Sequence, residues 1–337
     1  MIKIGLVGAG FMGRMHAKCY EALRERGGFE VVAVADLNTA QAAELAEPLG
    51  AAVFASAEEM MAQADINTVD ICLPTFLHAE LALQAMDKGM NLFIEKPVCR
   101  NSEEAARLLR KQEETGAAVM IGQCIRFWPE YTELRRIYEA GRYGKLTSAV
   151  FTRRSPHPDW VWEQWLDDEA KSGSAALDLH IHDVDYVRAL LGEPQRISTE
   201  LVRDRGANVH IHSLYRYGDV VVGLEGGWDY PPSFPLEMAF TVQFEQATVV
   251  FSSNAAPTLR VFTASGEVLE PELEQPDLSG AASGDSGGNI SSLGGYYNEL
   301  RYFIDRLSSG EPIAESTLAD GCASLALLER ALAAAER

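Results

Sequence analysis

Up to about residue 122, short apolar runs alternate with longer stretches whose apolar residues recur every three or four positions. Lys3-Ile4-Gly5-Leu6-Val7, Glu30-Val31-Val32-Ala33-Val34-Ala35 and Thr68-Val69-Asp70-Ile71-Cys72-Leu73 read as strands, as do 51–54, 91–94 and 117–121. Near-continuous apolarity of this kind marks strands covered on both faces. Segments 14–26, 39–49, 78–88 and 102–114, with a shorter one after Ser56, carry the helical period. Gly50 and Gly89 stand where helices should stop, Ser56 and Ser102 where they should be capped. Strand and helix in regular turn predict βαβ units and a parallel sheet.

Beyond Gln123 the texture changes. One more helix, 131–140, is followed by seven candidate strands at 146–154, 196–203, 208–217, 220–228, 237–243, 247–252 and 258–263. Short turns such as Tyr217-Gly218-Asp219 and Ser265-Gly266-Glu267 predict antiparallel pairing. Helical patterns interrupt them at 177–191 and close the chain at 296–307 and 318–336. The Gly/Ser-rich stretch 279–295 reads as a mobile loop.

Composition narrows the classes. A chain of 337 residues is long for one core, so two domains are expected. With 47% hydrophobic and 23% charged residues it has the make-up of a soluble globular protein, and no apolar run is long enough to span a membrane. The N-terminus enters a strand directly, without a signal-peptide pattern, so a cytoplasmic location is expected. A formal charge of −20 repels nucleic acid and anionic membranes. An anionic nucleotide would then have to be held by local backbone donors. Cys19, Cys72, Cys99, Cys124 and Cys322 are dispersed and unpaired in spacing, which suits reduced thiols better than disulfides or zinc.

Three stretches carry candidate chemistry. Gly8-Ala9-Gly10-Phe11-Met12-Gly13 joins a strand to a helix as G-x-G-x-x-G, the dinucleotide-binding fingerprint. Gly8 serves the tight turn, Gly10 the close approach of a pyrophosphate, and Gly13 the packing of helix on strand. Asp36 ends the second strand about twenty residues further on, where an acid accepts bonds from the adenosine ribose. It would repel a 2′-phosphate, and Leu37-Asn38-Thr39 offers no arginine, so NAD is favoured over NADP. An Asp that merely caps the next helix is the competing reading. Leu73, Pro74, Thr75, His78, Glu95 and Lys96 fall at carboxyl ends of predicted strands, where such sheets bind ligands. In Glu95-Lys96-Pro97 the lysine can polarise a carbonyl or move a proton, and Pro97 stiffens the turn that carries it.

In the third stretch Asp178, His182 and Asp185 share one face of a helix at i, i+4 and i+7. A histidine flanked by carboxylates can act as a general base. A structural His–Asp network is an equal reading. A metal set of Asp178, His180 and His182 is disfavoured, because His180 lies roughly 200° around the helix. His210 and His212 read as ordinary strand residues.

The chain resembles the glucose–fructose oxidoreductase / inositol dehydrogenase / rhizopine-catabolism (Gfo/Idh/MocA) family essentially end to end. The resemblance rests on the Gly8–Gly13 turn, Asp36, Pro74-Thr75 with His78, Glu95-Lys96-Pro97, Arg126-Phe127-Trp128-Pro129, the stretch 173–192, and Tyr296, Glu299 and Phe303. It implies an α/β protein with an N-terminal NAD-binding Rossmann domain at 1–122. It also implies an α+β domain at 123–337, with a large, mainly antiparallel open sheet that binds substrate and pairs subunits into dimers or tetramers. The terminal helices could pack back on the first domain. The family's catalytic lysine falls on Lys96, and its motif Asp and His on Asp178 and His182.

The implied reaction is oxidation of a secondary alcohol on a sugar or cyclitol, with hydride passing to the nicotinamide. His182 takes the hydroxyl proton, Lys96 assists, and Asp178 orients the base. The resemblance also implies cofactor contacts at Phe11, Met12 and the strand-end residues named above, and no metal. Arg126, Arg153, Trp165 and Trp162 are the expected pocket residues, core packing being an equal reading for either tryptophan. Where many relatives have consecutive glycines before the Asp, this chain has Gly173-Ser174-Ala175. Two other activities stay open: an NAD-dependent glycosidase or epimerase with transient oxidation, and a non-catalytic ligand sensor.

Overall fold

The computed structural model describes residues 1–159, 161–204, 206–274 and 293–335. They divide into two compact units, one of 1–127 with 293–322, the other of 128–274 with 323–335.

The first unit opens with β1 (Ile2–Val7), α1 (Phe11–Leu23), β2 (Phe29–Ala35), α2 (Thr39–Leu49), β3 (Ala52–Phe54) and α3 (Ala57–Gln63). It continues with β4 (Thr68–Ile71), α4 (His78–Asp87), β5 (Asn91–Glu95), α5 (Ser102–Thr115) and β6 (Val119–Gly122). The six strands lie in the order β3-β2-β1-β4-β5-β6, every neighbour parallel. Ile4, Leu6, Val34, Val69, Ile71, Phe93, Ile94 and Ile121 are fully buried, as expected of a sheet covered on both faces. Strand order reverses between β1 and β4, and a crevice for ligand forms outside the carboxyl ends at such a point.

Helix ends follow local chemistry, with one correction. Ser56 caps α3 by accepting the Glu59 N–H at 3.1 Å, and Gly50 closes α2 with a left-handed φ of 69°. Ser102, expected to cap α5, is instead its first helical residue. Asn101 is the cap, its Oδ1 accepting the N–H groups of Glu103 and Glu104 at 3.1 and 3.0 Å. Either side chain can cap, and the extended backbone at Asn101 decides between them.

The second unit contains α6 (Pro129–Glu139), β7 (Leu146–Pro156), α7 (Glu169–Ser172), a π turn (Ala176–His180), α8 (Ile181–Leu191), β8 (Arg196–Asp204), β9 (Ala207–Tyr217) and β10 (Val220–Tyr230). There follow β11 (Glu237–Phe244), β12 (Ala247–Ser252), β13 (Leu259–Thr263) and β14 (Val268–Leu269). Eight strands form one sheet in the order β14-β13-β12-β11-β7-β10-β9-β8. All neighbours are antiparallel except β7 and β10, which run parallel at the centre, so the sheet is mainly antiparallel, as expected.

One face of this sheet carries Phe151, Tyr215, Phe240, Val242, Val249 and Phe251, all buried. Tyr131 of α6 meets Phe240 and Phe251 edge-on at 5.2 and 5.5 Å, and Tyr186 of α8 meets Tyr131 at 4.8 Å. Edge-to-face geometry of this kind adds about 1 kcal/mol per pair to the area buried. The other face leaves Val150, Val202, Leu214 and Phe262 exposed.

Two further helices complete the described chain, α9 (Gly294–Ser309) and α10 (Leu318–Ala335). Residues 279–292 of the expected loop lie outside the described residues, while Gly294 and Gly295 begin α9 and are buried. The Asn101 cap is open to a direct test. Asn101→Ala should lower unfolding stability by about 1 kcal/mol in urea titration, and Ser102→Ala should stay within about 0.5 kcal/mol of the parent.

Candidate active site

In the first unit, β1 delivers the chain into α1 through a turn built on close backbone approach. Gly8 has φ of +100°, and a Cβ there would sit 2.3 Å from the Cys72 carbonyl oxygen. A Cβ on Gly13 would sit 1.8 Å from the Gly8 carbonyl oxygen. A Cβ on Gly10 would meet nothing within 4 Å, so the turn is open where α1 begins. No side-chain cap hydrogen bond closes that end of the helix, and the N-terminal end of a helix attracts an anion. These features fit a dinucleotide pyrophosphate.

Asp36 follows β2. Its Oδ2 accepts the Ala9 N–H at 2.7 Å and its Oδ1 the Asn38 N–H at 2.7 Å. The cap of α2 is Asn38, whose side chain accepts from Gln41, so Asp36 is not that helix's cap. Each carboxylate oxygen accepts more than one bond, so both can still receive a ribose hydroxyl. The acid also ties down the glycine turn, a task invisible in spacing alone.

The strand-end residues Leu73 to Thr75, His78 and Glu95 to Pro97 come together beyond β4 and β5. The Lys96 N–H donates to Glu95 Oε2 at 3.0 Å, and the Lys96–Pro97 peptide is cis. His78, expected as a cofactor contact, is buried, with Nδ1 2.8 Å from the Pro97 carbonyl oxygen and Nε2 2.7 Å from that of Leu73. Burial lowers its pKa, and the two carbonyls offset part of that. The neutral ring has one N–H, so it donates to one of these carbonyls and packs against the other. Arg126 is buried in the same unit, its Nη1 lying 3.3 Å from Glu315 and 3.5 Å from Asp320.

The second unit holds the other candidate set. Asp178 sits in the π turn, part-exposed, and His182 in the first turn of α8, buried at 8% exposure. Asp178 therefore lies in the π turn, and His182 and Asp185 in the α-helix that continues it. Asp185 is fully buried and accepts a bond from Ser324 at 2.7 Å. Asp183 takes Arg153 through Nε at 2.9 Å and Nη2 at 3.2 Å, so that guanidinium is held inside its own unit.

His180 faces the sheet, where a Cβ on Gly226 would lie 2.7 Å from its Nδ1. Burial first, then the cationic neighbourhood of His212 and Arg153, pulls its pKa down to about 3. It is a neutral core residue. His210 and His212 lie in β9, as expected, with their rings stacked at 4.7 Å and His210 Nδ1 2.7 Å from Asp229 Oδ1. Trp165 is half-buried and Trp162 is 55% exposed. Ser174, in the departure from consecutive glycines, has φ of +55° and a buried Oγ with no hydrogen-bond partner. A left-handed serine costs on the order of 1 kcal/mol.

Comparison with known proteins completes the assignment. Residues 2–123 match the family model described as "Oxidoreductase family, NAD-binding Rossmann fold", and residues 131–250 match the "GFO/IDH/MocA C-terminal domain". The chain belongs to the Gfo/Idh/MocA family. It is 29% identical to an inositol 2-dehydrogenase of Rhizobium meliloti (strain 1021), over 98% of this chain and 96% of that one. It is also 29% identical to the scyllo-inositol 2-dehydrogenase (NAD(+)) of Bacillus subtilis (strain 168), over 65% of this chain and 61% of that one. Among solved structures, a levoglucosan dehydrogenase in complex with NADH and levoglucosan superposes with a TM-score of 0.85 at 20% identity, covering 99% of this chain and 97% of that one. That likeness is one of fold. The first unit is thus an NAD-binding Rossmann domain, joined to the family's C-terminal domain.

Behind Lys96 this family member carries a buried polar cluster that the sequence reading did not single out. His16 of α1 is fully buried, with Nδ1 2.8 Å from Asp70 Oδ2 and Nε2 3.1 Å from Glu95 Oε1. Tyr20, one turn further along α1, donates to Asp70 Oδ2 at 2.8 Å. Glu299 of α9 is fully buried, and neither of its carboxyl oxygens has a hydrogen-bond partner. Its nearest oxygen, a His16 nitrogen and a Glu95 oxygen all lie within 4.8 Å of one another. Glu95 and Glu299 stood out in the sequence for other reasons, and Asp70 did so as a charge inside an otherwise apolar strand, while His16 carried no signal of its own.

Burial opposes the charge on His16, yet Asp70 and then Cys72 hold its pKa well above the usual histidine value. Burial, reinforced by Glu95, drives the Glu299 carboxyl well above its usual range. The native structure therefore favours the protonated form of Glu299. Below the ordinary glutamate value of 4.5 native and unfolded chains both carry its proton. Above it only the unfolded chain releases that proton, so stability falls by about 1.4 kcal/mol per pH unit until the native carboxyl titrates. The His16 contribution has the same sign, being complete below 6.5 and lost as pH rises through the raised native value. Glu299→Gln should remove the first component. Urea unfolding should show the variant gaining on the parent by about 1.4 kcal/mol per pH unit above about pH 5, until the native carboxyl titrates. A difference independent of pH would mean that Glu299 is ionised in the native protein.

Proposed function

We propose that this oxidoreductase is a dehydrogenase of sugars or cyclitols that uses NAD(H) in preference to NADP(H). The observation that carries the reading is Lys96, which follows directly on the carboxyl end of β5, with its amide held by Glu95, on the sheet edge that binds ligand in this fold. The inositol dehydrogenases at 29% identity support the substrate class.

In this reading the Gly8–Gly13 turn and the start of α1 hold the pyrophosphate, and Asp36 holds the adenosine ribose. Bound nicotinamide supplies the hydride acceptor. His182 takes the proton of the reacting hydroxyl, and Asp178 keeps its ring oriented and supports the cation that forms. Lys96 places an ammonium group beside the oxygen that becomes a carbonyl, where it stabilises developing negative charge. Trp165 offers a flat apolar surface to a sugar ring. Arg126 and Arg153, already held by carboxylates, act as fixed donors at most. The exposed apolar face bearing Val150, Val202, Leu214 and Phe262 supports homo-oligomerisation through the C-terminal sheet.

Reduction of NAD by a panel of polyols, read by the ultraviolet absorbance of the reduced nicotinamide, tests the activity. Lys96→Ala should lower kcat by two to four orders of magnitude with folding intact. Silence with every polyol, together with cleavage of a glycoside, would establish redox-assisted hydrolysis in its place. Full biological activity of the Lys96→Ala protein would point to a sensor. For the cofactor, Asp36→Ala should weaken NAD binding by about tenfold and reduce the discrimination against NADP in a calorimetric titration. An unaltered NAD/NADP ratio would show that Asp36 serves the glycine turn alone.

A further inference from the structure

The buried cluster beside β5 holds a physical requirement that the reaction itself does not explain. Both ring nitrogens of His16 face carboxylate oxygens, Asp70 on one side and Glu95 on the other. Two acceptors call for two N–H donors, so the ring bridges the acids as an imidazolium. Glu95 spends one oxygen on this bridge and the other on the Lys96 N–H. Every titratable group around His16 fits the same charge state. Asp70 and Cys72 approach it at the end of β4, Tyr20 and Cys19 lie on its own helix, Glu95 is on β5, and Glu299, whose protonated form burial favours, faces it from α9.

The room for Glu95 is also built in. A Cβ on Gly122, at the end of the neighbouring strand β6, would stand 3.0 Å from Glu95 Oε1. Phe93 meets the His16 ring edge-on at 5.4 Å and Phe303 meets Phe93 at the same distance, so apolar rings shield the bridge. A salt bridge sealed in this way is costly to assemble and costly to break from one side.

We propose that His16 is a positioning residue for Lys96, acting through Glu95 to set the backbone from which the lysine reaches its reacting oxygen. The proposal rests on the reading of Lys96 as the reactive amine. It differs from a purely structural role in what it predicts at the Lys96 ammonium, some distance along the chain of bonds from the imidazole. His16 needs no metal for this, since both its nitrogens already have carboxylate partners.

The test compares the parent enzyme with His16→Gln, Glu95→Gln and Glu95→Leu. Amine acetylation across a pH series, read at Lys96 by mass spectrometry, reports the lysine's surroundings without any turnover. Kinetics with myo-inositol and NAD, and NAD affinity by calorimetry, report function. In His16→Gln the rate or pH midpoint of Lys96 acetylation should change by at least threefold or half a unit. In the same variant kcat should fall about tenfold, with KM and NAD affinity within twofold. Glu95→Gln, which keeps an oxygen for the Lys96 N–H, should retain more kcat than Glu95→Leu.

Unchanged Lys96 acetylation and unchanged kcat in a folded His16→Gln protein would overturn the proposal, as would equal losses in the two Glu95 variants. A divalent metal bound stoichiometrically in the parent and lost with His16 would overturn it too. If His16→Gln does not fold, Gly122→Ala, which crowds Glu95 and the adjoining Phe93 ring, carries the same expectation and the same refutation. Should Lys96→Ala leave turnover intact, the catalytic reading fails, while the acetylation result still decides whether His16 governs Lys96.

Discussion

The approach of the β1–α1 turn to the end of β4 is the constraint on which the first unit depends. Backbone meets backbone at Gly8 and at Gly13, with no space for a side chain at either. Such contacts cannot be adjusted by a rotamer change, so they fix where α1 starts and how it lies against the sheet. Two further consequences follow from that placement. The open end of the helix faces the crevice outside the strand ends. One turn along, His16 and Tyr20, four apart on one face, reach Asp70 on the neighbouring strand.

Charge is managed locally within that frame. The protein is strongly acidic overall, yet the elements around its cofactor turn are backbone amides and a single acid that also serves as a brace. Asp36 grips Ala9, and the buried His78 ring lies between the Leu73 and Pro97 carbonyls, donating to one of them. Deeper in, one cation sits among three carboxyl groups, and the arithmetic is tolerable because one of the three keeps its proton. Loops that must meet a ligand are thus held by side chains that do not have to move when it arrives.

The second unit solves a different problem. A large sheet needs one face covered, and Tyr131 does this with edge-on contacts to Phe240 and Phe251, while Tyr186 meets Phe151 at a tilt. The π turn before α8 interrupts an otherwise regular helix where Asp178 lies, after a serine held in a conformation natural to glycine. Irregular backbone at that place is consistent with a site shaped by something other than packing.

The alternation of apolar runs and helical periods was sufficient for the parallel sheet, for most helix limits, and for the location of the glycine turn, Asp36 and Lys96. Those features depend on residues near one another in the chain, so local sequence carries them. Where a cap could be supplied by Asn101 or Ser102, backbone conformation chose. The parallel pairing of β7 with β10 joins strands that are far apart in sequence, and no turn between them records it. His16, Asp70, Glu95 and Glu299 belong to the same class. His16 finds its partners 54 and 79 residues away, and its charge exists only because folding brings two acids to one ring out of reach of water. A histidine by itself in a helical pattern says nothing of that; the low-dielectric interior decides it.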